Sequence, residues 1–152
     1  MPDDAIDPAY ELTADPARLD TDQVHALLAE HAYWAAGRSR EVQAAAFAGS
    51  RNHGVLLRST GELVAYARLV TDGATFAWLA DVVVAPSHRG RGLGTALVAA
   101  ALGDVAPLGL KRVLLRASAD GRPVYDRLGF APVPEPETWL ELRASTPATI
   151  SA

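Results

Sequence analysis

VVVAPSHRGRGLGTALV, residues 82–98, is the stretch from which the rest of the chain is placed. Three valines read as the end of a buried strand, Pro86 stops it, and a turn rich in arginine and glycine fills residues 88–94. A helical pattern starts at once. The first-turn N–H groups of a helix have no intrahelical partner, and the helix dipole adds partial positive charge there. Glycines let the backbone close on a ligand with no Cβ in the way. With Arg89 and Arg91 alongside, the order strand–turn–helix is that of an anion cradle of the phosphate-binding kind. A surface turn with adventitious arginines is the competing reading of those letters alone.

Working outward, residues 54–84 read as three strands joined at residues 59–61 and at the Asp72-Gly73 turn, an antiparallel meander. Upstream, residues 10–13 suggest a short strand. Asp20 and Gln23 have capping-box spacing, and Val24, Leu27, Leu28 and His31 recur at helical intervals, with an end before Gly37. Ser39 is a candidate cap for a second helix through about residue 48, built on Val42, Ala45 and Ala46. Downstream, Leu93, Leu97, Ala100 and Ala101 share one face of a helix over about residues 92–103, and KRVLLRA (111–117) predicts a strand parallel to its predecessor. Asp120 is placed to cap a short helix carrying Pro123, and Gly129 to terminate it. FAPV (130–133) and TWLELR (138–143) predict two last strands. The order β-α-α-β-β-β-α-β-α-β-β is an α+β fold with a mixed, mostly antiparallel central sheet flanked by helices. The expected domain spans residues 10–143, between a loose leader (1–9) and a Ser/Thr/Ala tail (144–152).

Composition narrows the function. A chain of 152 residues, 49% apolar, is large enough to bury one core without metals or disulfides. Its net charge of −4 argues against general affinity for nucleic acid or anionic membrane, so the arginine pair marks a local site. With no cysteine, thiolate metal sites and a covalent cysteine intermediate are excluded. The longest apolar runs, such as residues 96–102, are too short to span a bilayer, and the acidic N-terminus has no signal-peptide stretch. A cytoplasmic protein is expected. His25 and His31 are six apart, on different helix faces, and His53 and His88 are isolated, so no metal is expected. His88 reads as a solvated turn residue, and Arg18, Arg40, Arg51, Arg58 and Arg143 as surface charges.

Arg89-Gly90-Arg91-Gly92-Leu93-Gly94 after a strand, and Tyr125 followed by Gly129-Phe130 in a second strand–helix unit, resemble the GNAT superfamily of acyl-CoA-dependent N-acyltransferases. The resemblance covers about residues 10–143 and implies acetyl-CoA as co-substrate. It implies that N–H groups of Arg89, Gly90, Arg91, Gly92, Leu93, Gly94 and Thr95 hold the coenzyme A pyrophosphate. Val82 and Val84 would offer backbone groups to the pantetheine arm, and Tyr125 would protonate the departing thiolate as general acid. Many relatives carry an asparagine that contacts the pantetheine seven residues before the tyrosine; Ser118, a shorter donor, stands here. A homodimer is suggested by the resemblance alone.

The acceptor side is less specific. An alkyl amine must lose a proton before it attacks, which at pH 7 costs roughly 4–5 kcal/mol. Asp81 interrupts the apolar strand WLADVVV and so is either paired structurally or functional, as base or acceptor contact. Alternation turns it away from Ala80 and Val82 unless a bulge intervenes. It is similar to an acidic position in polyamine-acetylating relatives, although Ala80 stands where those often carry Glu. The family builds its acceptor pocket from the region of His31, Tyr33, Trp34 and Arg38. Tyr-Trp-Ala-x-Gly-Arg, with Ala67 to Asp72 (ARLVTD), resembles a bacterial subgroup of undefined substrate. Two rings and an arginine suit a flat or anionic acceptor; alternatively Tyr33 and Trp34 seal the core at a helix end. The expected activity is acetyl transfer from acetyl-CoA to the primary amine of a small molecule, by direct attack in a ternary complex. A CoA-binding protein without transfer is the alternative. A dinucleotide module is disfavoured, because a fingerprint starting at Gly90 needs glycine where Thr95 stands.

Overall fold

A computed structural model describes residues 6–144. Its five strands are β1 (Tyr10–Thr13), β2 (Arg51–Leu57), β3 (Leu63–Thr71), β4 (Phe76–Val84) and β5 (Arg112–Leu114). The helices are α1 (Thr21–His31), α2 (Arg40–Ala48), α3 (Leu93–Val105) and α4 (Arg122–Arg127). The strands lie in sequence order, antiparallel up to β4, and β5 joins β4 in parallel because α3 carries the chain back between them. The mixed, mostly antiparallel α+β architecture read from the sequence is the one observed.

Two apolar clusters hold the layers. Leu93, Leu97, Val98 and Ala101 of α3 pack on Val64, Leu69 and Leu79 on one face of the sheet. Val24, Leu27 and Leu28 of α1 pack on Leu56, Tyr66 and Val83 on the other. Each fully buried valine or leucine contributes about 1.5–3 kcal/mol relative to exposure. Asp20 caps α1 by accepting the Asp22 N–H at 2.9 Å, and Ser39 caps α2 by accepting that of Val42 at 3.1 Å. Gln23 does not close the capping box; its Oε1 accepts the Leu63 N–H at 2.9 Å and ties α1 to β3.

Two details of the sheet position the site. Tyr66 pairs with Val83 but Arg68 with Ala80, so Asp81 and Val82 together oppose Ala67. This bulge places Asp81 at φ 57°, in the left-handed region. It also shifts the side-chain alternation: Ala77 and Leu79 face α3 before the bulge, Val82 and Val84 after it. Second, β4 and β5 pair only from Phe76↔Arg112 to Trp78↔Leu114 and then part.

The structure corrects several local expectations. The last two strands do not form: residues 130–133 and 139–143 lie outside any strand, and Leu140 and Leu142 are 92% and 82% exposed. β5 offers only three ladder positions, and Pro132 and Pro134 remove N–H donors beside it, so apolar alternation finds no edge to complete. α2 turns Gln43 inward, while Val42 is 55% exposed. Asp120 does not cap α4; Ser118 Oγ accepts the Gly121 N–H at 3.1 Å instead. Within the expected leader, the Pro8 and Ala9 carbonyls accept from the side chain and backbone of Arg58, each at 2.9 Å. Residues 1–5 and most of the expected tail lie outside the described residues.

Candidate active site

The cradle is built at the junction of β4 and α3. Gly90 and Gly92 both take φ 78°, which a side chain disfavours and glycine adopts freely. Gly92 is the N-cap of α3 and offers no side chain, so the N–H groups of Leu93, Gly94 and Thr95 are left for another partner. Around both glycines the space a Cβ would enter is open to 4 Å. Leu93 is buried beneath the turn and anchors it. Arg91 is exposed beside it; Arg89 folds back, its Nε donating to the Val84 carbonyl at 2.9 Å. Arg127 of α4 donates to Thr95 Oγ1 at 3.1 Å and adds a third guanidinium, one that sequence spacing did not single out. His88 is no solvated turn residue: its Nδ1 meets the Tyr10 hydroxyl at 2.7 Å and pins the turn to β1.

The open edge of β4 leads into this cradle. The Ala85 N–H bonds to the Val64 carbonyl at 2.8 Å, toward β3. Alternation along the strand therefore aims the N–H and C=O groups of Val84, and of Val82 beyond it, at the side that β5 has left. With the Val84 carbonyl already taken by Arg89, the Val84 N–H and the Val82 groups suit an extended chain laid along the strand, ending at an anion in the cradle. A nucleotide-linked pantetheine has that form, and the residues present fit it.

Tyr125 lies on α4, 7% exposed, edge-on to Phe130 with ring centroids 5.8 Å apart. Among the described residues its hydroxyl has no hydrogen-bond partner, and burial pushes its pKa above the usual 10. The phenol therefore keeps its proton at neutral pH. Ser118 stands close by: a Cβ at Gly121 would lie 3.2 Å from Ser118 Oγ and 3.1 Å from the Tyr125 ring. With Oγ accepting from Gly121, the Ser118 hydroxyl hydrogen is left to donate.

On the opposite face the bulge delivers Asp81 into a cluster of donors. Its Oδ2 accepts from Arg38 at 2.8 Å and from Arg68 Nε at 2.7 Å; its Oδ1 accepts from Trp34 Nε1 at 3.0 Å and Arg38 at 3.3 Å. Burial alone would raise the carboxyl pKa, but the two guanidiniums outweigh it and hold Asp81 below the usual carboxylate range. Arg38 is fixed further: its Nη1 donates to Gln43 Oε1 at 2.9 Å, and His25 Nε2 donates to its carbonyl at 2.8 Å. Arg68 also reaches Ser50 Oγ at 3.1 Å. Trp34 does not seal the core. It is 42% exposed, and Tyr33, packed edge-on against it at 5.1 Å, is 79% exposed. The sequence signals for Arg68 and Gln43 were faint: a polar residue inside an apolar strand, and one on a helix whose apolar residues looked inward.

The profile described as the acetyltransferase (GNAT) family matches residues 16–130. A solved GNAT-family structure from Xanthomonas campestris pv. campestris superposes with TM-score 0.80 and 34% identity, covering 90% of this chain and 94% of that one. A mycothiol acetyltransferase of Tsukamurella paurometabola is 46% identical over 78 residues, 51% of this chain and 25% of that protein. Serotonin N-acetyltransferase 2, chloroplastic, of Oryza sativa subsp. japonica is 39% identical over 77 residues, 51% of this chain and 38% of that protein. The chain thus spans well under half the length of these two curated relatives. With the signature turn, the parted strands and the family profile in agreement, the chain belongs to the acetyltransferase (GNAT) family.

Proposed function

We propose that this protein transfers the acetyl group of acetyl-CoA to the primary amine of a small molecule, by direct attack within a ternary complex. The observation that carries this reading is the unpaired edge of β4 running into the uncapped N-terminus of α3. When bound, acetyl-CoA supplies an acetyl group activated as a thioester. The N–H groups of Leu93, Gly94 and Thr95, with Arg91 and Arg127 beside them, hold the linked phosphates. Arg89 props the Val84 carbonyl. Val82 and Val84 align the pantetheine as an added strand, and an N–H at the bulge is placed to polarise the thioester carbonyl. Ser118 donates to the arm near its reactive end. Tyr125 gives its proton to the departing thiolate, whose ordinary pKa of about 8.5 makes that help useful rather than indispensable.

Of the roles open to Asp81 (base, acceptor contact or structurally paired residue), the last, which makes it a positioning residue, is the better supported. Four donors occupy its oxygens, and its lowered pKa makes it a weak proton acceptor. It orients Arg38 and Trp34 toward the acceptor, and water carries the amine proton away. A cytoplasmic setting belongs to the same proposal; no described helix is long and apolar enough to cross a membrane. Calorimetric titration with coenzyme A, followed by thiol release from acetyl-CoA across an amine panel, tests the reading. Binding and turnover are expected. Folded protein that takes up no coenzyme A overturns it, and binding without thiol release leaves a CoA-binding protein.

A further inference from the structure

We infer that the acceptor carries a carboxylate, held by Arg38 and Arg68 beside the bulge of β4. The inference rests on the transferase reading above and names the acceptor's class. Two guanidiniums, with side chains only 19% and 15% exposed, share one carboxylate, Asp81, whose side chain is 2% exposed. The cluster therefore keeps one positive charge in excess in a half-desolvated place.

Its remaining valences are donors too. Arg38 has Nε, and Arg68 has Nη2, beyond the bonds each makes to its described partners. Gln43, 1% exposed, turns its Oε1 to Arg38 and leaves Nε2 as a buried donor with no partner. Flipping that amide would set an NH2 against a guanidinium, so the donor excess is a property of the cluster. A site with surplus donors and one surplus positive charge is completed by an anion offering several acceptor lone pairs.

Charge decides which anion. A carboxylate, at −1, balances the excess; a phosphate monoester near −2 would leave a negative charge there. The planar fork of arginine also matches a carboxylate in two-point contact. Tyr33 and Trp34, exposed at the rim, give apolar walls for the carbon skeleton. Asp81 adjoins Val82 at the bulge, so the guanidiniums it holds stand one side-chain contact away from the strand residues proposed to align the thioester arm. A short spacer between carboxylate and amine spans that distance, which points to amino acids and similar amino carboxylates.

The test compares amino acids of differing amine-to-carboxylate spacing with their carboxamides, in thiol release and in melting shifts of the CoA-saturated protein. At least one amino acid should exceed its own amide about 10- to 100-fold in kcat/KM. Arg68→Gln leaves Asp81 balanced by Arg38 alone; that ratio should then fall toward one with coenzyme A affinity unchanged. Amides used as well as the acids, or a ratio that survives Arg68→Gln, overturns the inference while leaving transfer intact. CoA-saturated protein that neither acetylates nor is stabilised by any amino carboxylate also overturns it. Failure to bind coenzyme A would instead sink the transferase reading.

Discussion

The Tyr125 ring is buried on α4, edge-on to Phe130, and its hydroxyl is raised in pKa and without a hydrogen-bond partner among the described residues. A phenol raised above its ordinary range by burial keeps its proton at neutral pH, as the proposed acid role requires. Tyr125→Phe keeps the ring in its contact with Phe130 and removes only the proton, so kcat should fall about 10²- to 10⁴-fold with acetyl-CoA affinity nearly constant. Single-turnover rates beside calorimetric titration check this; an unchanged chemical step would remove the assignment. Asp81 was half legible. A carboxylate in an apolar strand must find partners, and that much follows from desolvation. Which partners depended on Arg68, thirteen residues away on the neighbouring strand, and on a bulge that no local pattern announces.

Among elements, the cradle was the most legible because its cause is local. Positive φ at Gly90 and Gly92, and a helix begun without a side-chain cap, are what the alternation of arginine and glycine encodes. Gly92→Val should show this. A β-branched residue at φ 78° costs about 1–2 kcal/mol in backbone strain, and its side chain enters the open space assigned to the phosphates. A protein that still folds but binds coenzyme A at least about 100-fold more weakly is expected, from the loss of about 3 kcal/mol of charge-assisted contact. Circular dichroism with calorimetry reads both parts, and undiminished affinity would move the phosphates elsewhere. The final strands were the least legible element. TWLELR has strand periodicity, but a strand exists only with a partner edge, and neither the length of β5 nor the parting of β4 from it is written in those six residues. Helix α2 forms where the Ser39 cap puts it, but its inward face differs for a related reason: Gln43 turns in to meet Arg38, a demand made by the site.

At the scale of the molecule, the β2–β3–β4 meander and the parallel return through α3 followed from periodicity and turn chemistry, because the meander's joins are short and the crossover carries a helix; the pairing of β1 with β2, across two helices, did not. Periodicity says nothing of the charges that clamp the layers together. Asp81 ties β4 to the segment before α2, and Asp104 ties α3 to β2 through Arg51 and His53. Both carboxyls are held below their ordinary range. For Asp81 the arginines overcome burial; for Asp104 the Arg51 hydrogen bond leads. A folded-state pKa below the unfolded value of about 3.9 means that the unfolded chain binds more protons near pH 4, so stability there rises with pH. Their contribution is present in full above about pH 5 and is lost as pH falls through 4 and below. Urea unfolding at pH 7, 5, 4 and 3 should show a plateau and then a decline. Asp81→Asn should lower the plateau by about 3 kcal/mol, the lower end for a broken buried ion pair because both arginines keep some solvent contact. It should also flatten the acid limb, since the group that titrates is gone. A variant as stable as its parent, with a parallel acid limb, would show that the Arg38–Asp81–Arg68 clamp contributes nothing to the fold.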